Sequence, residues 1–376
     1  MKRTVSLKLL PSPVQAEQFA TLAEAFARAC NATVPFVQEH RCWNRVALHH
    51  LAYYSLRERF PELGSQMVCN AIHRVASAYK TLKANGGIAK EKPVPSLSFT
   101  RAAVHFDHRT YALRKNDTVS LFTLGGRAIV AFVCGKHQRN LLASGKAKEA
   151  ELILRKRQWY LNLVLDLADV PPATEGSVLG VDVGENNLAA TSSGKVFGGG
   201  KLRFARDRYL AHRRRLQSNG SRAAKRKLRA ISGRERRHVK HVNHEVSKAI
   251  VQQAHTLHMR EIRMEDLTHI RDHIRAGKRV RARLHRWAFR QLQEFIAYKA
   301  EALGISVAYV NPAYTSQTCS ACGAIGKREK HRFSCSCGNR RHADVNASVN
   351  IAGFAEPIGS ARAAVNQPVF AHHASM

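Results

Sequence analysis

Acidic residues are scarce: 27 Asp+Glu stand against 61 Lys+Arg in 376 residues, a formal net charge of +34. Such an excess repels itself unless a polyanion neutralises it, and each phosphate contact made by Lys or Arg releases a condensed counterion. Nucleic acid is therefore the expected partner, the competing reading of the composition being a basic ribosomal or chromatin-like protein without chemistry. Long apolar runs are also missing. No window approaches the roughly 20 residues of a membrane span. No secretory signal is read either, because the apolar run after Lys2-Arg3 is short and is broken by Lys8 and Pro11. No internal repeat is evident. These absences predict a cytoplasmic, nucleoid-associated chain. Its 44% hydrophobic content supports sizeable cores, and its length predicts two or three domains.

Cysteine is sparse too. Of eight cysteines, Cys30, Cys42, Cys69 and Cys134 are scattered in apolar contexts and read as buried thiols. The other four fall in two tight pairs, Cys319/Cys322 and Cys335/Cys337. In an intracellular setting such pairs read as metal ligands more readily than as disulfides. Four thiolates suit a closed, tetrahedral, structural Zn²⁺ site, the twelve residues between the pairs being enough for a short hairpin. The Cys-x-Cys spacing of the second pair departs from the commoner two-residue gap, so His331 and His342 are possible substitute ligands.

Along the chain, Thr4–Leu10 alternates as a strand and stops at Pro11. Ser12-Pro13-Val14-Gln15 carries a capping box with proline at the first helical position. Phe19, Leu22, Phe26 and Cys30 follow at helical spacing, and the pattern stays helical to about Ala84. Residues 97–166 change period. Leu97–Phe99, Thr110–Leu113, Thr118–Leu124, Ala128–Val133, Glu151–Arg155 and Trp159–Leu165 read as short strands, with a hairpin turn at Arg157-Gln158. The N-terminal strand and these predict an antiparallel barrel with a helical insert in its first connection. After Pro171-Pro172 the pattern becomes α/β: strands at Val178–Asp182, Asn187–Thr191, Glu261–Glu265 and Ile305–Val310, long basic helices over Lys201–Ala254 interrupted near Ser218–Gly220, a helix at Trp287–Leu303, and a last helix from about Ala343.

Three acids sit at the ends of these elements. Asp182 closes the apolar strand Val178-Leu-Gly-Val-Asp, Glu265 closes Ile262-Arg-Met-Glu, and Asp344 opens the final helix. Taken singly, each would serve as a helix cap or an arginine partner. Buried strands seldom deliver carboxylates without compensation, however, and three meeting would make a Mg²⁺ site. Two ions about 3.5–4 Å apart suit phosphodiester hydrolysis. Asp266 competes with Glu265, but alternation along the strand places it on the opposite face. The stretch 201–240 carries 16 Lys+Arg against Asp207 and Glu235, with Leu202, Tyr209, Leu216, Leu228 and Ile231 interleaved, and reads as a helix pair presenting cations to a nucleic-acid backbone. Arg271–Arg290 forms a second basic patch. Exposed aromatics for base stacking cannot be told from core ones at this level.

These pieces together resemble the TnpB family, transposon-encoded proteins of the OrfB type related to the ancestors of type V CRISPR effectors. The carrying motifs are Val178-Leu-Gly-Val-Asp182-Val-Gly, Met264-Glu265-Asp-Leu, Trp287-Ala-Phe-Arg-Gln-Leu-Gln-Glu-Phe, Tyr314-Thr-Ser-Gln-Thr-Cys319-Ser-Ala-Cys322-Gly, and His342-Ala-Asp344-Val-Asn-Ala. The resemblance spans roughly residues 1–352. It implies an α/β plus β chain: a RuvC-like RNase-H-fold nuclease domain (176–314 and 341–354) with an inserted zinc ribbon (315–340). A wedge-type β-barrel (1–11 and 94–172) carrying a helical recognition domain (12–93) would precede it, and a flexible tail (355–376) would follow.

The resemblance also implies an RNA-guided DNA endonuclease, working as a monomeric ribonucleoprotein with a transposon-end-derived guide RNA beside a short transposon-adjacent motif on target double-stranded DNA. Asp182, Glu265 and Asp344 would be the catalytic Mg²⁺ ligands, and Cys319, Cys322, Cys335 and Cys337 the structural Zn²⁺ ligands. The competing readings are a catalytically silent RNA-guided repressor and a DNA strand-joining transposase.

Overall fold

The computed structural model describes residues 1–100, 103–268, 288–311, 314–354 and 359–360. They divide into two compact units, one running through residue 168 and the other beginning at 169. Each has its own apolar core.

The first unit is built on a seven-stranded antiparallel sheet. Its strands are β1 (Lys2–Leu10), β2 (Val104–Asp107), β3 (Tyr111–Arg114), β4 (Thr118–Thr123), β5 (Gly126–Val133), β6 (Lys146–Arg155) and β7 (Gln158–Asp166), in the spatial order β2-β6-β7-β1-β5-β4-β3. Alternation on β1 buries Val5, Leu7 and Leu9. Three helices, α1 (Pro13–His40), α2 (Arg45–Arg59) and α3 (Gly64–Ala84), occupy the β1–β2 connection, as the period change predicts. The capping box forms: Gln15 N donates to Ser12 Oγ at 3.2 Å, and Ser12 N donates to Gln15 Oε1 at 3.0 Å.

Three local expectations are corrected. Leu97–Phe99 is not a strand, because helix side chains take its backbone groups: Leu97 N donates to Tyr79 Oη at 3.2 Å and Phe99 N to Asn31 Oδ1 at 2.8 Å. The β6–β7 turn sits at Lys156-Arg157, both with positive φ (51° and 65°), and Gln158 already belongs to β7. A short helix α4 (Lys136–Ser144) was not foreseen. It buries no residue, so it leaves no apolar period to read.

The second unit holds a six-stranded sheet in the order β10-β9-β8-β11-β12-β16. Strands β8 (Val178–Asp182), β11 (Glu261–Glu265) and β12 (Ser306–Val310) run parallel, while β9 (Asn187–Thr191), β10 (Val196–Gly198) and β16 (Gly359–Ser360) pair antiparallel. The basic stretch folds as α5 (Gly200–Asn219), α6 (Arg222–Ile231) and α7 (Arg234–Thr256). It breaks at Gly220 and again at Gly233, both in the left-handed region where glycine is favoured. Helices α5 and α6 bury only Leu202 and Ala224, leaving most of their cations to solvent.

Helix α8 is described from Phe289 to Glu301; Trp287 and the basic patch before it, from Arg271 on, lie outside the described residues. Between β12 and the last helix α9 (Ala343–Gly353) stands a three-stranded sheet of β13 (Lys327–Glu329), β14 (Arg332–Ser334) and β15 (Arg340–His342). The tail expected over 355–376 falls outside the described residues except for Gly359-Ser360, which pairs with β12. Among the described residues no helix is long and apolar enough to cross a membrane.

Candidate active site and cysteine cluster

Parallel pairing brings two of the acids together. Met264 on β11 is in register with Val181 on β8, so the residues that follow, Glu265 and Asp182, leave the sheet side by side. The third acid arrives through a close helix–strand contact. A Cβ at Gly180 would lie 1.9 Å from the Ser348 carbonyl and 2.6 Å from Ala352 N, so only glycine lets α9 settle on β8. That contact, one turn along α9 from Asp344 and two residues before Asp182, joins carboxylates 162 positions apart (344 − 182).

The acids are fixed by groups that the motifs do not announce. Asn187 Nδ2 donates to Asp344 Oδ2 at 2.8 Å, and Arg328 Nη2 pairs with Asp344 Oδ1 at 2.7 Å. His342 Nδ1 caps α9 by accepting from Asp344 N at 3.2 Å. Thr315 Oγ1 donates to the Glu265 carboxylate, and Gln293 Nε2 holds the Glu265 carbonyl at 2.8 Å. Asp266 is outside this group: its carboxylate accepts from Thr268 within its own turn.

Electrostatics agree with a cation site. Burial, followed by the charges of Glu265 and Asp344, pushes the Asp182 carboxyl up to about 8, with Arg328 opposing. Burial also raises Glu265, against the Thr315 hydroxyl and Arg328. At neutral pH a proton thus substitutes for part of the positive charge that the site wants. A divalent cation bound by these oxygens fits the donor set. Among the described residues the four cysteines are the only group of His, Cys, Asp or Glu whose ligand atoms all lie within 4.8 Å of one another. The three acids are therefore spaced wider than the inner shell of a single shared ion.

The four cysteines converge as their pairing predicts. Cys319 Sγ lies 3.7 Å from Cys337 Sγ, and Cys322 Sγ 3.6 Å from Cys335 Sγ. A tetrahedron with metal–sulfur bonds of about 2.3 Å has edges of about 3.8 Å, so the cluster has the size of a zinc tetrathiolate. The Cys-x-Cys pair needs no histidine substitute. His331 and His342 lie outside the cluster with their rings 6.0 Å apart. Asn339 Nδ2 donates to Cys319 Sγ at 3.2 Å and draws that thiol down to about 6, favouring the thiolate that metals bind. The hairpin between the pairs is β13–β14, and it is β13 that delivers Arg328 to Asp344.

Motif matching missed Arg328, Asn187 and Thr315 as site residues. Thr315 lay inside a quoted motif. Arg328, in the run Gly-Lys-Arg-Glu-Lys-His-Arg, has no sequence mark to set it apart from its charged neighbours. The structure also separates the exposed rings from the core: Tyr54 is 82% exposed, Tyr314 68% and Phe204 65%.

Residues 162–271 match the family described as "Probable transposase", and residues 289–351, which span α8, the cysteine module and α9, match "Cas12f1-like, TNB domain". A TnpB-like protein of Methanocaldococcus jannaschii is 28% identical over 270 residues, 66% of this chain and 94% of that protein. The chain is similar to TnpB-like proteins and to Cas12f nucleases. The CRISPR-associated endodeoxyribonuclease Cas12f1 of Sulfoacidibacillus thermotolerans is 28% identical over 348 residues, 81% of this chain and 80% of the nuclease. In fold, the chain is similar to the protein in the cryo-EM structure of the Cas12f1-sgRNA-target DNA complex, with a TM-score of 0.62 over 91% of this chain and 83% of that one, at 16% identity.

Proposed function

We propose that this chain is a transposon-encoded, RNA-guided DNA endonuclease that hydrolyses phosphodiesters with divalent metal. It would use a guide RNA derived from the transposon end and a short transposon-adjacent motif. The observation that carries the reading is the grouping of Asp182, Glu265 and Asp344 at one end of the sheet, near enough for the other two charges to add to the burial that raises Asp182 to about 8. The relatives named as endodeoxyribonucleases support the reaction class. The exposed cations of α5 and α6 support a nucleic-acid partner.

On this reading residues 176–314 and 341–354 form a RuvC-like nuclease domain and 315–340 a zinc ribbon. Residues 1–11 and 94–172 form a wedge-type barrel, 12–93 a helical recognition domain and 355–376 a tail. Asp182, Glu265 and Asp344 would hold Mg²⁺, whose chemistry there would be to activate water and offset charge on the leaving oxygen. Asn187 and Thr315 fix the Asp344 and Glu265 carboxylates so that little reorganisation remains when substrate arrives. Arg328 adds a fixed positive charge at the same place and can meet a phosphate oxygen once Asp344 is engaged elsewhere. Cys319, Cys322, Cys335 and Cys337 would hold Zn²⁺, which would tie together the hairpin that carries Arg328. One chain contains all three acids, so the site can form within a monomeric ribonucleoprotein.

The test is to purify the protein with its copurifying RNA, sequence that RNA, and incubate the particle with matched double-stranded DNA in Mg²⁺. Cleavage by the wild type and none by Asp182→Ala, with target binding retained, is the expected result. Target binding without cleavage in Mg²⁺ or Mn²⁺ would replace the nuclease with a silent repressor. Strand-transfer products made without RNA would replace it with a transposase.

A further inference from the structure

We propose that Tyr314 is a substrate-positioning residue whose ring stacks on an unpaired nucleobase beside the phosphate presented to Asp182, Glu265 and Asp344. This rests on the nuclease reading above and deepens it by placing single-stranded DNA at one side chain.

Tyr314 is costly to the fold and gains little from it. Its φ is +61°, in the left-handed region that a residue with a bulky side chain avoids. The residue is 68% exposed, and its ring makes no contact with an aromatic ring or a cation among the described residues. Glycine would close the same turn without strain, and a polar residue would meet water better. Yet the backbone beneath the ring is held hard. The Tyr314 carbonyl accepts from Gln317 N, Thr318 N and Thr318 Oγ1, each at 3.0 Å. The next residue, Thr315, is 3% exposed, gives its hydroxyl to Glu265 and accepts from Asn350 Nδ2 at 2.8 Å through its carbonyl. An exposed aromatic side chain on a firmly held backbone thus stands one residue from a buried contact to a proposed metal ligand. Local strain that persists at such a place is the signature of a functional constraint.

The ligand chemistry follows from the ring. A flat, solvated aromatic face suits a nucleobase, and base–aromatic stacking strengthens binding irrespective of sequence because every base has a π-face. A base still paired in a duplex presents its edges rather than its face, so the partner is a strand already opened. Stacking one base fixes the register of the neighbouring phosphate, and a misplacement of about 1 Å costs on the order of 100-fold in rate.

The experiment compares wild type, Tyr314→Gly, Tyr314→Phe and Tyr314→Trp in the intact ribonucleoprotein. Glycine keeps the turn and removes the ring, while phenylalanine and tryptophan keep the ring. We expect a KM for single-stranded DNA about tenfold higher in the glycine variant, the equivalent of about 1.4 kcal/mol. Its thermal midpoint should be unchanged or higher, and Phe and Trp should stay within about twofold of wild type. In an Asp182→Asn background, a strand bearing 2-aminopurine beside the cut position should be quenched when Tyr314 is present and not when the Tyr314→Gly substitution is added. Unchanged KM and quenching in Tyr314→Gly, with the wild type still cutting, overturns the stacking role alone. Failure of Tyr314→Phe alongside Tyr314→Gly overturns it in favour of the hydroxyl. A wild-type particle that binds no DNA overturns both this role and the nuclease reading.

Discussion

Arg328 on the hairpin of the cysteine module pairs with Asp344 at the start of α9, at 2.7 Å, with the arginine side chain 36% exposed and the aspartate 12%. This contact links the proposed zinc ribbon to the acid site, and it makes the charge of one depend on the folding of the other. Replacing Arg328 by Ala should lower the cleavage rate by on the order of 10²-fold, the usual cost of removing one preorganised donor at a reacting centre. Target binding should be unchanged. Single-turnover kinetics and a filter-binding titration separate the two, and Lys should restore only part of the rate because it lacks the planar fork.

Asp182 makes the second unit sensitive to pH. Its folded value of about 8 lies above the ordinary 3.8, so the folded state holds the proton more tightly than the unfolded state. Its contribution to metal-free stability is fully present below about pH 4 and is lost as pH rises through about 8. The thermal midpoint of metal-free protein should therefore fall over that window by several degrees. Asp182→Asn, which keeps the hydrogen-bonding shape without the charge, should flatten the fall.

His105 on β2 gives the first unit the opposite dependence. Burial lowers it to about 4, with His73 and Arg74 adding to the effect and Glu149 and Asp107 opposing it. A histidine kept neutral in the fold favours unfolding once the unfolded chain can take the proton. Stability is complete above about pH 6.5 and should decline by about 3 kcal/mol as pH falls toward 4, at 1.36 kcal/mol per pKa unit. Urea titrations of wild type and His105→Phe at pH 7 and pH 4.5 measure the difference.

Removing the metal expected at the cysteines should loosen the hairpin and withdraw Arg328. Metal analysis should find one zinc per chain, and Cys322→Ser with Cys335→Ser should find none. Hydrogen exchange should then rise over residues 327–342 and leave the strand 178–182 protected.

Gly180→Ala should be severe. The added methyl would meet the Ser348 carbonyl at 1.9 Å, a backbone atom that cannot turn aside. Either α9 shifts, carrying Asp344 from Asp182, or the unit loses about 3 kcal/mol or more. The ratio of Mn²⁺ affinity to thermal midpoint across wild type and variant distinguishes displacement from unfolding.

How much of this could be read from residues alone depends on whether a signal was periodic or tertiary. Val178–Asp182 is a buried apolar strand and Glu261–Glu265 alternates, burying Ile262 and Met264, so both their existence and the position of their closing acids were legible. The helical insert carried a capping box and a regular apolar stripe, and it too was legible. Helix α4 only half-buries Leu141 and Leu142 and left no regular stripe. Residues 97–99 have strand-like composition but spend their backbone groups on Tyr79 and Asn31, a choice made by helices far away in sequence. Arg328 was hidden for the same reason: only the register of β13 against β14 distinguishes it from the other cations around it.

The two ends of the cysteine module are fastened at one spot. From α9, Asn350 Nδ2 reaches the carbonyls of Thr315 and Thr318, at 2.8 Å and 2.7 Å, and Asn346 Nδ2 also binds Thr318 O at 2.7 Å. The module therefore leaves and re-enters the six-stranded sheet unit through a single clasp, like a bead strung on a closed loop. Its interior can lengthen, shorten or change its chemistry while Asp182 and Glu265 keep their spacing, provided that Asn346 and Asn350 stay in place. Variation between relatives should accordingly concentrate inside the clasp, and the two asparagines mark where one module could be exchanged for another.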